Sequence, residues 1–350
     1  MAVVTVASVL SLALLVQAFY QRGGRTGGVA GRPMEALSFE SGDDVFLLRA
    51  GSDDPVRLLD RDSFGSEGGL DLAWSPDGRM VAFTSYVRGD VPHVFVAAHD
   101  GSRTRAVSAG LWPGELAWSP DGTRIAFAGT TQGVTDIYVV GVDGSGLERL
   151  TTVTRNGVDA ATMPAWSPDG TQIAFSWTQY DEATATEVQT IALVDASGGS
   201  AQPVTEGPLD ESPAWSVRGQ IAFLAKGSDG PTLKVVDPVT RAERTVATLG
   251  HNDGFAWSPV EDVLAFLDAR TGSVLVATPG GEVHELTPGS AFGGGRPWGT
   301  PAWTPDGRWL AVAVRSGQGP SRIFILPATG GDPVPFSPPN IDAAAPRWQP

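Results

Sequence analysis

The residues of this sequence that could do chemistry are mostly carboxylates. Asp77, Asp121, Asp169 and Asp306 occupy the same place in a recurring hexapeptide, and a ring of such oxygens could hold a hard cation. The hexapeptide itself accounts for them: a Ser or Thr, then Pro, Asp and Gly is the composition of a type I turn, with Asp accepting local backbone N–H groups. Asp143-Gly144-Ser145-Gly146 lacks the ordered spacing and distal Glu of a calcium loop, so it reads as another hairpin turn. The four histidines, His93, His99, His251 and His284, show no metal-ligand spacing. There is no Gly-x-Ser-x-Gly elbow, and no Ser-His-Asp set stands out by motif. With zero cysteines, disulfides and thiol chemistry are excluded. No cofactor and no metal is expected.

The elements that carry these turns repeat. Ala73-Trp74-Ser75-Pro76-Asp77-Gly78 precedes Val81-Ala82-Phe83, and the same pattern returns at Trp118 and Trp166. Worn copies stand at Trp215, Trp257 and Trp303, and Trp348 ends the chain where a further copy would begin. These seven Trp are separated by 44, 48, 49, 42, 46 and 45 residues, a period that signals one small sheet per unit. Apolar runs on both sides of each turn supply two strands. Later runs such as Asp136-Ile137-Tyr138-Val139-Val140 supply two more. The reading is an all-β propeller of four-stranded blades whose faces are buried by neighbouring blades, with each motif Trp between them.

The Trp-Ser-Pro-Asp-Gly repeat, its Ile-Ala-Phe and the Asp-Ile-Tyr-Val-Val at 136–140 resemble the TolB-type β-propeller repeat, which is also found in the propellers of prolyl-oligopeptidase-like enzymes. The resemblance covers roughly residues 36–350. The chain has no room for the α/β domain that precedes the TolB propeller, or for a peptidase's hydrolase domain. Seven blades are expected, with six as the alternative because TolB has six. The stretch Leu37 to Asp60 provides three strands without the Trp strand, and Pro346-Arg347-Trp348 provides the missing one, so one blade is expected to be shared between the two ends of the chain.

Ahead of the propeller, residues 1–21 are expected to form a membrane anchor or signal segment. Ala2 to Tyr20 carries no charged side chain. As a helix it would reach roughly 28 Å, the thickness of a bilayer core. Residues 22–35, rich in Gly and Arg, read as a flexible tether. Membrane contact is expected through residues 2–20 alone, with the propeller on the extracytoplasmic side, periplasmic or at the cell surface, as the resemblance implies. Twenty-four basic against thirty-nine acidic residues, a formal charge of −15, disfavour nucleic acid as a partner.

The resemblance also says where to look for binding. The loop before each motif Trp leads into the innermost strand and opens on one mouth of the central channel. Loops at the ends of a rigid sheet scaffold are where binding residues concentrate. The candidates there are Asp71, Trp112, Glu115, Asp210, Glu211, His251, Asp253 and Trp298, acidic side chains interleaved with two additional Trp that could hold a cation, a basic peptide or a sugar. The expected function is a monomeric, non-catalytic binding module engaging a protein or cell-envelope ligand. The alternative is a lyase or hydrolase acting on a saccharide or peptide at the same mouth.

Overall fold

A turn of Ser-Pro-Asp-Gly type can only join two antiparallel strands, and the computed structural model is built from that unit throughout. It describes residues 36–41, 44–49, 52, 54–59, 71–86, 92–108, 110–153, 159–181, 183–227, 230–249, 254–268, 270–278, 280–317 and 319–350. The chain divides into two units, Met1–Met34 and Glu35–Pro350. The expected apolar segment and tether lie outside the described residues. Among the described residues no helix is long and apolar enough to cross a membrane.

Four of the turns are wired alike. At Ser75 the hydroxyl donates to Asp77 Oδ1 at 2.7 Å, Arg79 N–H donates to the same oxygen at 3.1 Å, and Met80 N–H donates to Ser75 Oγ at 2.9 Å. Gly78 sits at φ 66°, the left-handed region that closes the turn without a side-chain penalty. The same wiring recurs at Ser119/Asp121, Ser167/Asp169 and Thr304/Asp306. The worn copy after Trp215 has no such Asp. There Arg218 N–H donates at 3.3 Å to Asp262, a buried carboxylate just past the position where the next worn copy has Glu261 in place of Gly.

The strands assemble as antiparallel sheets of four, for example Leu72–Trp74, Met80–Tyr86, Pro92–Ala98 and Arg105–Ala106. Similar sheets run from Asp210–Trp215 to Glu243–Thr248, from Phe255–Trp257 to Val283–Thr287 and from Arg296–Trp303 to Val334–Pro335. A fifth joins Ala344–Trp348 to Leu37–Ser41, Asp44–Leu48 and Val56–Leu59, with Leu37 opposite Trp348. One eight-stranded sheet contains two such runs, Trp112–Trp118 to Glu148–Arg149 and Ala160–Trp166 to Gln202–Pro203, linked by a single parallel bridge between Thr135 and Ala160. The fold is an all-β propeller of four-stranded blades.

The core lies between sheets. Trp166, Ile173 and Phe175 pack on Ala126, Ile137 and Val139 of the preceding run, and Trp118, Ile125 and Phe127 pack on Ala82, Val94 and Val96. Leu37, Phe39 and Trp348 pack on Ala311, Ile323 and Ile325. A hydrogen-bond chain follows the same path. Trp118 Nε1–H donates to the Ala73 carbonyl at 2.9 Å, and the pattern repeats from Trp166 to Ala117, Trp215 to Ala165, Trp257 to Ala214, Trp303 to Ala256 and Trp348 to Ala302. Trp74 breaks the rule: its indole donates to Ser38 Oγ at 2.9 Å, and that hydroxyl donates to the Arg347 carbonyl at 3.0 Å. Each indole thus places its apolar body in the interior while its N–H is satisfied by the neighbouring sheet.

Candidate binding site

The first strands of successive sheets touch one another, so the ends at which they begin gather in one region. The strands start earlier than expected. Trp112, Glu115, Asp210, Glu211 and Trp298 were expected in loops; all five lie within first strands, and of the described candidates only Asp71 precedes its strand. The reason is a register shift in most of these strands, between Pro113 and Leu116, Thr162 and Ala165, Glu211 and Ala214, and Trp298 and Ala302. Such a bulge lets residues that look like loop continue a strand. Met163, Ser212 and Ala345, each three residues before a motif Trp, take positive φ of 54°, 57° and 45°. Left-handed non-glycine residues are uncommon and kink the strand where they occur.

The residue three positions before the Trp is the recurrent contact. Asp71 Oδ2 accepts the N–H of Leu116 in the next sheet, and Glu115 Oε2 accepts Met163 N–H at 3.4 Å in the second run of that eight-stranded sheet. Ser212 Oγ lies 3.3 Å from Met163 Sδ. These side chains stitch first strands together. Burial raises the Asp71 carboxyl above its ordinary value, opposed by the Leu116 N–H and by the charge of Arg347, while Glu115 adds a further upward push.

Asp210 is 1% exposed. Its Oδ2 accepts Gly207 N–H at 3.2 Å, its Oδ1 has no hydrogen-bond partner among the described residues, and burial raises its pKa. Glu211 is held by Lys226 Nζ at 2.6 Å. Trp112 is 53% exposed at the outermost residue of its strand. Trp298 instead packs against the cluster containing Phe39, Ile323 and Trp348, with the Arg315 guanidinium 4.7 Å above its ring. His251 and Asp253 lie outside the described residues. The structure therefore joins Asp71 to Glu115 and Arg347, and holds Asp210 and Glu211 in a separate sheet with Lys226. Among the described residues no group of three His, Cys, Asp or Glu is placed to hold a metal ion. Sequence reasoning passed over Met163, Ser212, Lys226 and Arg315, although the fixed offset from Trp marks the first two.

These features define a β-propeller whose polar side chains collect where its first strands begin. The family described as TolB beta propeller domain matches residues 73–261, a little over half of the chain, and the chain belongs to that family. Among solved structures it is similar to TolB from Acinetobacter baumannii, with a TM-score of 0.54 and 17% identity over 96% of this chain and 71% of that one. It is also similar to an oligogalacturonate lyase in complex with manganese, with a TM-score of 0.62 and 13% identity over 88% of this chain and 86% of that one. A puromycin hydrolase matches with a TM-score of 0.62 and 16% identity over 91% of this chain, which spans 55% of the hydrolase's length. Likeness at these identities is likeness of fold.

Proposed function

We propose that the chain is a non-catalytic, extracytoplasmic binding module that engages a protein or cell-envelope ligand at the mouth formed by the beginnings of its first strands. The observation that carries this reading is Trp112: a large aromatic 53% exposed at the very start of a first strand, in a fold where Trp74, Trp118, Trp166 and Trp348 are buried and the other three motif Trp are partly buried. Exposed Trp at the rim of a rigid scaffold is a typical anchor for a partner. Acidic side chains along neighbouring strands give the mouth a polar rim. Kinked residues at Met163 and Ser212 beside it fit the tendency of bulges to sit next to binding sites.

The architecture in this proposal is a closed ring of seven blades, with the eight-stranded sheet counted as two blades because one bridge alone links its halves. The pairing of Ala344–Trp348 with Leu37–Ser41 supports closure by a blade shared between the chain ends. Residues 1–21 serve as anchor or signal segment, residues 22–35 as tether, and residues 36–350 as a monomeric propeller facing outward. Membership of the TolB family supports an extracytoplasmic site.

A photo-crosslinking side chain tests the binding face. Placed at Trp112 in cells, it should give a discrete higher-mass adduct, whereas at Asp143, on a turn at the opposite end of the strands, it should give none. Equal adducts at both places, or none at either, would remove the mouth from the proposal.

A further inference from the structure

The charges at the beginnings of the first strands are matched almost everywhere. Glu211 has Lys226 at 2.6 Å, Glu40 has Arg347 at 3.0 Å, and Asp71 has the Leu116 N–H. The sheet beginning at Arg296 breaks this pattern. Arg296 and Arg315 are direct cross-strand partners, so two guanidinium side chains leave adjacent strands side by side. Both are exposed, and neither forms an ion pair with any described residue. Like charges directly opposite one another destabilise a sheet. Among the described residues the pair is left without a carboxylate.

Arg315 is also held in place. Its guanidinium carbon lies over the Trp298 ring, 4.7 Å from the centroid, and its Nε–H donates at 3.4 Å to Ser321 Oγ. The contact with the indole and the bond at Nε restrain the guanidinium and leave its two terminal NH₂ groups without a hydrogen-bond partner among the described residues. Asp342, the nearest acidic group along this chain of contacts, spends Oδ1 on Ser321 N–H at 2.7 Å. A restrained guanidinium with a second arginine opposite it on the neighbouring strand supplies donors for two oxygens of a carboxylate or phosphate.

We infer that Arg296 and Arg315, with Trp298 as the platform, form an oxyanion subsite at the start of this sheet. The bound group relieves the cross-strand repulsion by lying between the two forks. Because the protein as a whole repels anions, the subsite selects ligands by local fit and not by long-range attraction. The inference does not depend on the partner proposed above: a chain that binds an oxyanion here yet takes no crosslink at Trp112 keeps the subsite and loses the binding module, and the reverse outcome does the opposite.

The test is a titration of the full chain, carrying isotope-labelled arginine, with sodium acetate and with inorganic phosphate at constant ionic strength, sodium chloride serving as the control. The Arg315 Nε–H resonance should shift and saturate with at least one oxyanion and not with chloride, and the tighter of the two identifies the group as carboxylate or phosphate. Arg296→Gln should weaken that binding at least tenfold, as should Arg315→Lys, which keeps the charge and loses the fork, while the Trp118 indole resonance stays put as a report on the fold. Equal shifts with chloride and with both oxyanions, or no shift with either oxyanion, would overturn the inference. So would an unchanged titration in Arg296→Gln, and the wild-type comparison decides the matter even if a variant does not fold.

Discussion

The two ends of a first strand show how differently one residue type can be used. At the closing end stand Asp77, Asp121 and Asp169, exposed, each receiving a Ser hydroxyl and a backbone N–H within its own turn; those bonds hold their carboxyls below the ordinary value. At the beginning stand Asp71 and Asp210, withdrawn from water and raised by burial. Tryptophan divides in the same way along the strand Trp112–Trp118, whose last residue is 8% exposed and whose first is 53% exposed. The closing end is a self-contained structural unit. The beginning keeps carboxyls in states that cost stability.

Removing a whole first strand should have the largest effect. Deleting residues 344–350 strips Leu37–Ser41 of one of its two partner strands and removes Trp348 from its cluster, so stability should fall by several kcal/mol and the exposed edge should associate. Denaturation and sedimentation measure both, and an unchanged, monomeric melt would sink the shared-blade reading. Next, Trp118→Ala should cost about 3–5 kcal/mol, and Trp112→Ala less than about 1 kcal/mol, because only the former leaves a cavity. Equal losses by chemical denaturation would erase the distinction between the two ends.

The smallest effects are those of pH, and their signs are opposite. Asp121 has a folded pKa below the unfolded value near 3.8, so its contribution is complete above that value and is lost as pH falls through and below it. Asp121→Asn should lower stability at neutral pH by less than about 1 kcal/mol, since the group is exposed and screened, and should have no effect in strong acid. Asp210 has a raised pKa, so its ionised form opposes folding at neutral pH, and that opposition fades as pH falls through the folded value. Asp210→Asn should therefore raise the melting temperature at neutral pH, with the gain vanishing in acid. Parallel pH profiles for the two variants would contradict the contrast.

Much of this was legible because turn chemistry is local. Ser, Pro, Asp and Gly in succession specify their own hydrogen bonds, and the Trp spacing follows from repeating them. The beginnings of the strands were not legible: Pro113-Gly114, Pro213 and Pro297 with Gly299 look like loop, and only the bulges that absorb them make them strand. The Arg296–Arg315 pair was hidden for a related reason, since it depends on register between residues far apart in sequence. Asp262 supplying the Trp215 turn is a contact between two worn copies, and neither copy announces it alone.

The bond from Ser38 to the Arg347 carbonyl spans 309 residues of chain. During synthesis the strands Leu37–Ser41, Asp44–Leu48 and Val56–Leu59 emerge long before Ala344–Trp348, the strand that completes their sheet. Every other sheet completes itself within a short stretch of chain and can form as it appears. The opening strands must wait with an unpaired edge and exposed Leu37 and Phe39, and this waiting period is when the chain is most prone to bind to itself or to need a chaperone's protection.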